Sequence, residues 1–250
     1  MSGSVAVIIP AAGQSSRFGG PQKKPFTSLD GKPVWLRTAE LFWLRPDVSR
    51  VYIVIAADDR DEFRGRFGHL LLFTNAEIVE GGAERFDSVA NALARIPLDV
   101  PLVAVHDAVR PLTPVGVIDA TFAAAREHGA AMPGVPVADT LKRVDAATGR
   151  ITDTVPRAGL WQAQTPQVFR CDWLVEGYAR RGEAKTPITD DAQAVEALGH
   201  AVFVVPGSPL NFKITTKLDL ELAEAVLKSR QAGKPEPRVS AGPFDDEAKW

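Results

Sequence analysis

The sequence predicts an α/β fold, a mostly parallel sheet flanked by helices, and three observations carry that expectation. Short, near-continuous apolar runs such as "VAVIIP", "VYIVIA" and "PLVAVHD" have the character of strands buried on both faces. Longer amphipathic segments separate them, as helical crossovers between parallel strands would. With 250 residues, 45% hydrophobic and 24% charged, the chain can bury a sizeable core, and one domain over residues 1–229 is the default.

The elements follow in order. "VAVIIP" opens the chain as a strand, a helical pattern covers residues 33–44, and "VYIVIA" is the next strand. The charged "DDRDEFRGRF", the strand "AEIVE" and the helical "RFDSVANALARI" continue the rhythm. After "PLVAVHD" comes "TPVGVIDATFAAAREHG", where Thr113 can cap a helix and Pro114 can take its first position, and then the strand "AAMPGVPV". Residues 139–165, "DTLKRVDAATGRITDTVPRAGLWQAQT", break the pattern. They alternate polar and apolar residues around an "ATGR" turn and are expected to form a two-stranded arm leaving the core. Because an isolated hairpin is marginal in water, the arm needs a surface, either a partner subunit or its own core. "LVEGYARR", "DDAQAVEALG", "AVFVV", "NFKIT" and the helix "KLDLELAEAVLKSR" complete the domain. The tail, residues 230–250, is rich in proline, glycine and charge and is expected to be disordered.

Composition excludes several function classes. A formal net charge of −2 with dispersed basic residues is not the footprint of a nucleic-acid binder. The single cysteine, Cys171, cannot build a disulfide framework or a thiolate metal site, and it fits a reducing compartment. His69, His106, His128 and His200 show no metal-ligand spacing. The N-terminal run lacks a basic leader and is far shorter than the roughly 20 apolar residues of a membrane span, so a cytoplasmic, non-membrane protein is expected.

Ligands of such sheets bind beyond the carboxyl ends of the strands, which should bring the loops at 10–26, 80–88 and 106–113 to one edge. The first loop, "PAAGQSSRFGGPQKKPF", joins flexible backbone to Arg17, Lys23 and Lys24, a combination suited to an anion with several oxygens; a merely solvated basic loop is the alternative. It matches neither the dinucleotide G-x-G-x-x-G pattern nor a P-loop, and no G-x-S-x-G elbow occurs. In "EGGAERFDS", Gly81 and Gly82 allow close backbone approach and Ser88 lies near a helix start, where a simple turn and cap would read the same way. "VHDAVRP" places Asp107 and Arg110 just past a buried strand, as a metal-binding or substrate-orienting carboxylate or as a loop ion pair. "NFKIT" places Lys213 in a strand-like run where an ammonium needs an anion. Arg17, Lys24, Lys213 and Asp107 form a cationic clamp with one carboxylate, which suits phosphoryl or nucleotidyl transfer around a Mg²⁺ triphosphate.

These motifs, with "DTLKRV", "VPRAGLWQAQTPQVF" and "ITDDA", resemble in content and order the 2-C-methyl-D-erythritol 4-phosphate cytidylyltransferases of the non-mevalonate isoprenoid pathway, over about residues 5–227. The resemblance implies a Rossmann-like nucleotidyltransferase fold, a homodimer joined by the arm, and Mg²⁺-dependent attack of the polyol phosphate on the α-phosphorus of CTP with release of pyrophosphate. It implies that Ala11, Ala12 and Gly13 cradle the nucleotide, with Gly82 and Ser88 beside the cytosine and ribose. Arg17 and Lys24 would neutralise the triphosphate, Lys213 would sit at the α-phosphate, and Asp107 at metal and substrate. Thr140, Arg157 and Thr165, with Arg110, would hold the methylerythritol phosphate, the arm residues coming from the neighbouring subunit. Pro25 departs from the family, which usually has glutamine there; proline removes a donor and biases Lys24 toward an extended backbone. Two alternatives stand beside this reading, a ribitol-5-phosphate cytidylyltransferase, against which "GLWQAQTPQ" speaks, and a nucleotide-binding regulator without turnover.

Overall fold

A computed structural model of the chain describes residues 4–13, 24–97, 99–183 and 188–233, without the side chain of Lys24. Arg17, Lys23, the Lys24 side chain and residues 234–250 of the expected tail therefore lie outside the described residues. The strands are β1 (Val5–Pro10), β2 (Ser28–Leu29), β3 (Lys32–Pro33), β4 (Val48–Ile55), β5 (Ala76–Glu80), β6 (Leu102–Val105), β7 (Ala130–Pro136), β8 (Leu141–Val144), β9 (Ile151–Val155), β10 (Trp161–Ala163), β11 (Gln167–Arg170) and β12 (Phe203–Pro206). The helices are α1 (Val34–Glu40), α2 (Arg60–Leu71), α3 (Arg85–Leu93), α4 (Val115–His128), α5 (Cys171–Ala179), α6 (Asp191–Glu196) and α7 (Lys217–Gln231).

The expected mostly parallel sheet is present. β5, β4, β1 and β6 lie side by side and all run parallel. Beyond β6 the sheet becomes mixed: β11 is antiparallel to both β6 and β7, β10 is antiparallel to β7, and β12 runs parallel to β7. The reversal follows from the connection. Between β7 and β10 the chain makes the β8–β9 hairpin instead of a helical crossover, so it re-enters from the end at which it left and must pair antiparallel.

The period-2 alternation of strand side chains sorts the core into two layers. Val5, Val7 and Ile9 of β1, with Val51, Ile53 and Ile55 of β4, face α1, α2 and α4 through Trp35, Phe63, Phe67 and Phe122. Ala6 and Ile8, with Tyr52 and Val54, face α3, α5 and α6 through Val89, Leu174 and Val195. Both sheet faces are thereby covered, the reason β1 and β6 are apolar at every position. The last helix is pinned separately: Ala223 is buried beside Leu29, Val109, Leu112 and Ile214. A capping box between Thr216 and Asp219 starts that helix, a feature worth about 1 kcal/mol.

Five local expectations differ from the structure. The arm is shorter than 139–165, because β10 belongs to the main sheet and only the β8–β9 hairpin stands apart. Residues 211–215 of "NFKIT" form no strand, and the amide of Ile214 donates to the Val109 carbonyl at 2.9 Å. Pro114, not Thr113, is the N-cap of α4, since the Thr113 hydroxyl is turned inward to Asn211. Finally, Lys24–Phe26 is one 3-10 turn instead of extended chain. Pro25 is tolerated there because the first turn of a helix needs no N–H donor, and Phe26 is drawn onto Phe63 at 6.0 Å. The final helix also runs to Gln231, into the first residues assigned to the tail.

Candidate active site

The carboxyl ends of the parallel strands bring the expected loops together. Ala11 N–H donates to the Val54 carbonyl at 2.7 Å, Gly81 N–H to the Ile55 carbonyl at 2.7 Å and His106 N–H to the Ile8 carbonyl at 2.9 Å. Each bond prolongs a strand ladder by one residue into its loop, so the three loops leave the sheet at one edge. Gly81 is required by the approach that results: a Cβ there would lie 2.7 Å from Ala12 Cβ and 2.9 Å from Ser88 Oγ. Gly82 is equally confined, since a Cβ there would collide with Asp87 Cβ, and its N–H donates to Ser88 Oγ at 3.2 Å. Ser88 is thus buried and binds the glycine loop, while Glu84 and Asp87 form the capping box of α3. Ala11 is buried, Ala12 half-buried and Gly13 exposed, which leaves an open backbone ledge facing the glycines.

Beside this ledge Asp107, only 8% exposed, is met by three cations. Arg110 Nε donates to its Oδ2 at 3.1 Å, Lys213 Nζ lies 3.2 Å from the same oxygen, and Arg85 Nε lies 3.8 Å from Oδ1. Burial alone would push the Asp107 carboxyl up, but Lys213, Arg110 and Arg85 outweigh it and hold the group well below the usual carboxylate range. Arg110 is fixed a second time by donating to the Asn211 carbonyl at 2.6 Å. Lys213, by contrast, is exposed rather than buried, with 42% of its side chain accessible, so it is the member of the cluster free to turn toward an incoming anion.

Thr165 joins this cluster within its own chain. Its Oγ accepts from the Asp107 N–H at 3.1 Å and lies 3.1 Å from His106 Nδ1. Thr140 and Arg157 do not join it. Both are exposed at the base of the hairpin, Arg157 donates to the Ala138 carbonyl, and neither pairs with Asp107, Arg110 or Lys213. In this single chain the arm residues and the core cluster therefore stay apart.

Two residues that the sequence did not single out belong to the site. Arg85 forks onto the fully buried Asp191 with contacts of 3.1 and 2.7 Å, and the Tyr178 hydroxyl donates to the same carboxylate. Asp191 in particular holds the Arg85 guanidinium charged and above its ordinary range against the cost of burial. A signal was available in the sequence. Arg85 opens a helix, where the positive end of the dipole disfavours a cation, so a dedicated carboxylate had to be near.

A resident metal does not fit here. Among the described residues no group of three His, Cys, Asp or Glu side chains could hold an ion, and Asp107 is already engaged by three cations. What the arrangement can hold is an anion with several oxygens between a backbone ledge and a set of fixed positive charges.

The profile of the 2-C-methyl-D-erythritol 4-phosphate cytidylyltransferases matches residues 5–229. The chain belongs to that family. It is a nucleotidyltransferase, a cytidylyltransferase by membership. The family's 2-C-methyl-D-erythritol 4-phosphate cytidylyltransferase from Rhodopirellula baltica is 41% identical over 236 residues, covering 90% of this chain and 95% of the relative. The bifunctional enzyme IspD/IspF of Rhodospirillum rubrum is 45% identical over 242 residues, covering 96% of this chain, which spans only 60% of that relative's length. Among solved structures, 4-diphosphocytidyl-2C-methyl-D-erythritol synthase from Anaerococcus prevotii superposes with a TM-score of 0.77 at 27% identity, covering 91% of this chain and 97% of that one. No helix among the described residues of this cytidylyltransferase family member is long and apolar enough to cross a membrane.

Proposed function

We propose that the chain transfers the cytidylyl group of CTP to 2-C-methyl-D-erythritol 4-phosphate, giving 4-diphosphocytidyl-2-C-methyl-D-erythritol and pyrophosphate. One observation carries the reading: the Asp107, Arg110, Lys213 and Arg85 cluster lies at the same sheet edge as the Ala11–Ala12 and Gly81–Gly82 ledge. The ledge takes the nucleoside, whose base and ribose require close backbone approach, and Ser88 keeps the Gly82 loop in place. A phosphate oxygen of the acceptor attacks the α-phosphorus, and the bond to the bridging oxygen of the β-phosphate breaks, its electron pair leaving with pyrophosphate. Little covalent work falls to the protein, so positioning and fixed charge carry the rate. Lys213 exchanges its contact with Asp107 for the α-phosphate, and the released carboxylate holds acceptor hydroxyls. Arg17 and Lys24 supply charge to the triphosphate, on the strength of the family motif. Mg²⁺ bound with CTP would neutralise part of the triphosphate charge.

Thr140 and Arg157 reach the acceptor from the neighbouring subunit of a homodimer built through the hairpin. Its exposed Val144 and Ile151, 49% and 58% accessible, support that assembly because an isolated hairpin with apolar side chains in water lacks a partner surface. A cytoplasmic enzyme goes with this reading, and the single cysteine fits a reducing compartment. The test is pyrophosphate release from CTP and Mg²⁺ with 2-C-methyl-D-erythritol 4-phosphate, with ribitol 5-phosphate and without acceptor. Release specific to the first acceptor is expected. Preference for ribitol 5-phosphate, or CTP binding without turnover, would overturn the assignment.

A further inference from the structure

His106 is fully buried beneath the acceptor side of the site, and proton counting leaves its ring one arrangement. Gln164 is oriented by the backbone of Ser208: its Nε2 donates to that carbonyl at 2.8 Å, and its Oε1 accepts from that amide at 3.2 Å. Asn211 Nδ2 then donates to Gln164 Oε1 at 3.2 Å and to the Thr165 carbonyl at 2.8 Å, neither of which can donate in return. Asn211 Oδ1 must therefore accept, and its partner at 2.7 Å is the Thr113 hydroxyl, which thereby commits its single proton there, not to the Arg110 carbonyl at 3.1 Å or to His106 Nε2 at 3.5 Å. The Arg110 carbonyl, 3.2 Å from His106 Nε2, can only accept, which requires a proton on Nε2. Nδ1 is then a lone pair, and the Thr165 hydroxyl, 3.1 Å away, donates to it while accepting from the Asp107 N–H. Burial favours this neutral ring, whose pKa is lowered to about 4.

We infer that His106 is a positioning residue for the polyol phosphate. As the Nε2–H tautomer it takes the Thr165 proton and supplies one to the Arg110 carbonyl, tying together the segments that carry Thr165, Arg110 and Asp107. Through Asn211 the same network reaches the segment that carries Lys213. A second consequence is that Thr165 Oγ has no proton to give: it holds the Asp107 backbone and offers other groups only a lone pair. An acceptor phosphate must then find its donors in the arginines and Thr140, not in Thr165. This inference rests on the cytidylyltransferase reading for its substrate and on geometry alone for the tautomer.

Two measurements test it. In the full-length protein at neutral pH, ¹H–¹⁵N correlation of the imidazole nitrogens, assigned by loss of the signals in His106→Asn, should show the proton on Nε2. A proton on Nδ1 would overturn the inference. In kinetics, His106→Gln keeps a donor near the Arg110 carbonyl and loses the acceptor for Thr165, while Thr165→Val loses the same bond from the other side. Each should raise KM for the polyol phosphate roughly tenfold, the effect of one buried hydrogen bond, with KM for CTP within about twofold of wild type. The double variant should be little worse than either single one, because both remove one interaction. His106→Asn, with Oδ1 standing in for Nδ1, should recover most of the loss. Equal rises in KM for both substrates, or additive effects, would mean that His106 merely fills space. Inactivity of the wild-type protein toward every polyol phosphate would sink the cytidylyltransferase reading, and the spectrum would still decide where the proton lies.

Discussion

At Asp107 two large effects oppose each other, burial against three cations, and the direction of the carboxyl's shift says that the cations prevail. The residue is therefore both part of the framework and part of the site. Asp107→Asn should cost about 1–3 kcal/mol of stability, less than breaking a fully buried pair because Lys213 is half in water. Turnover per folded molecule should fall roughly a hundredfold as Arg110 and Lys213 lose their aim. Urea unfolding and pyrophosphate release measure the two separately; lowered stability with normal turnover would make the carboxylate structural only. The neighbouring His106 gives a pH dependence. Its pKa is about 6.5 in the unfolded chain and about 4 when folded, so below pH 6.5 the unfolded chain takes up a proton that the folded one refuses. Stability attributable to it is full above pH 6.5 and declines toward pH 4, by about 2 kcal/mol between pH 7 and 5. Wild type should lose that increment in urea titrations at the two pH values, and His106→Asn should not.

Among the elements, the junction of β1, β5 and α3 is closely packed. Gly81→Ala would press a methyl group onto Ala12 Cβ, Ser88 Oγ and, at 3.2 Å, the Ile55 carbonyl, none of them the end of a flexible side chain. Overpacking of this kind costs about 1–3 kcal/mol, and the Ala11–Ala12 ledge should absorb part of it by moving. KM for CTP should rise about tenfold or more while KM for the polyol phosphate changes less, as initial rates against each substrate would show. The pair "GG" announced close approach in the sequence, but what approached it was not legible: Ala12 lies some seventy residues away and meets Gly81 only because β1, β4 and β5 align in parallel. "NFKIT" failed as a strand for a related reason. Its alternation suits a strand, yet its backbone is held by Val109 and by the cap of α7 instead of by a ladder.

For the molecule as a whole, the proposed homodimer is what would bring Arg157 to the core cluster, which it does not touch within one chain. If the hairpin reaches across a homodimer, Asp107→Asn and Arg157→Ala proteins should each be nearly inactive alone. In a mixed dimer one site combines the altered core with the altered arm, and the other combines both intact parts. Equal mixing makes about half the dimers mixed, each with one good site of two, so activity should return to about a quarter of wild type. No recovery, with subunit exchange verified by two mass-distinguishable tags, would put the arm over its own core.

The sequence by itself determined the layered architecture, because apolar runs and amphipathic helices state burial directly, and it determined the ligand edge, because parallel strands leave their loops at their carboxyl ends. It also determined the family, through motifs that keep the chemistry of Gly81, Gly82, Ser88, Asp107, Arg110 and Lys213 in order. Only the tertiary structure decided who partners whom. Arg85 with Asp191, Lys213 with Asp107 and His106 with Thr165 are separated by long stretches of chain, and charge or hydrogen-bonding capacity carries no address. The antiparallel turn of the sheet at β10 and β11 was hidden likewise, since strand direction is set by where a connection exits and returns, and composition does not record it.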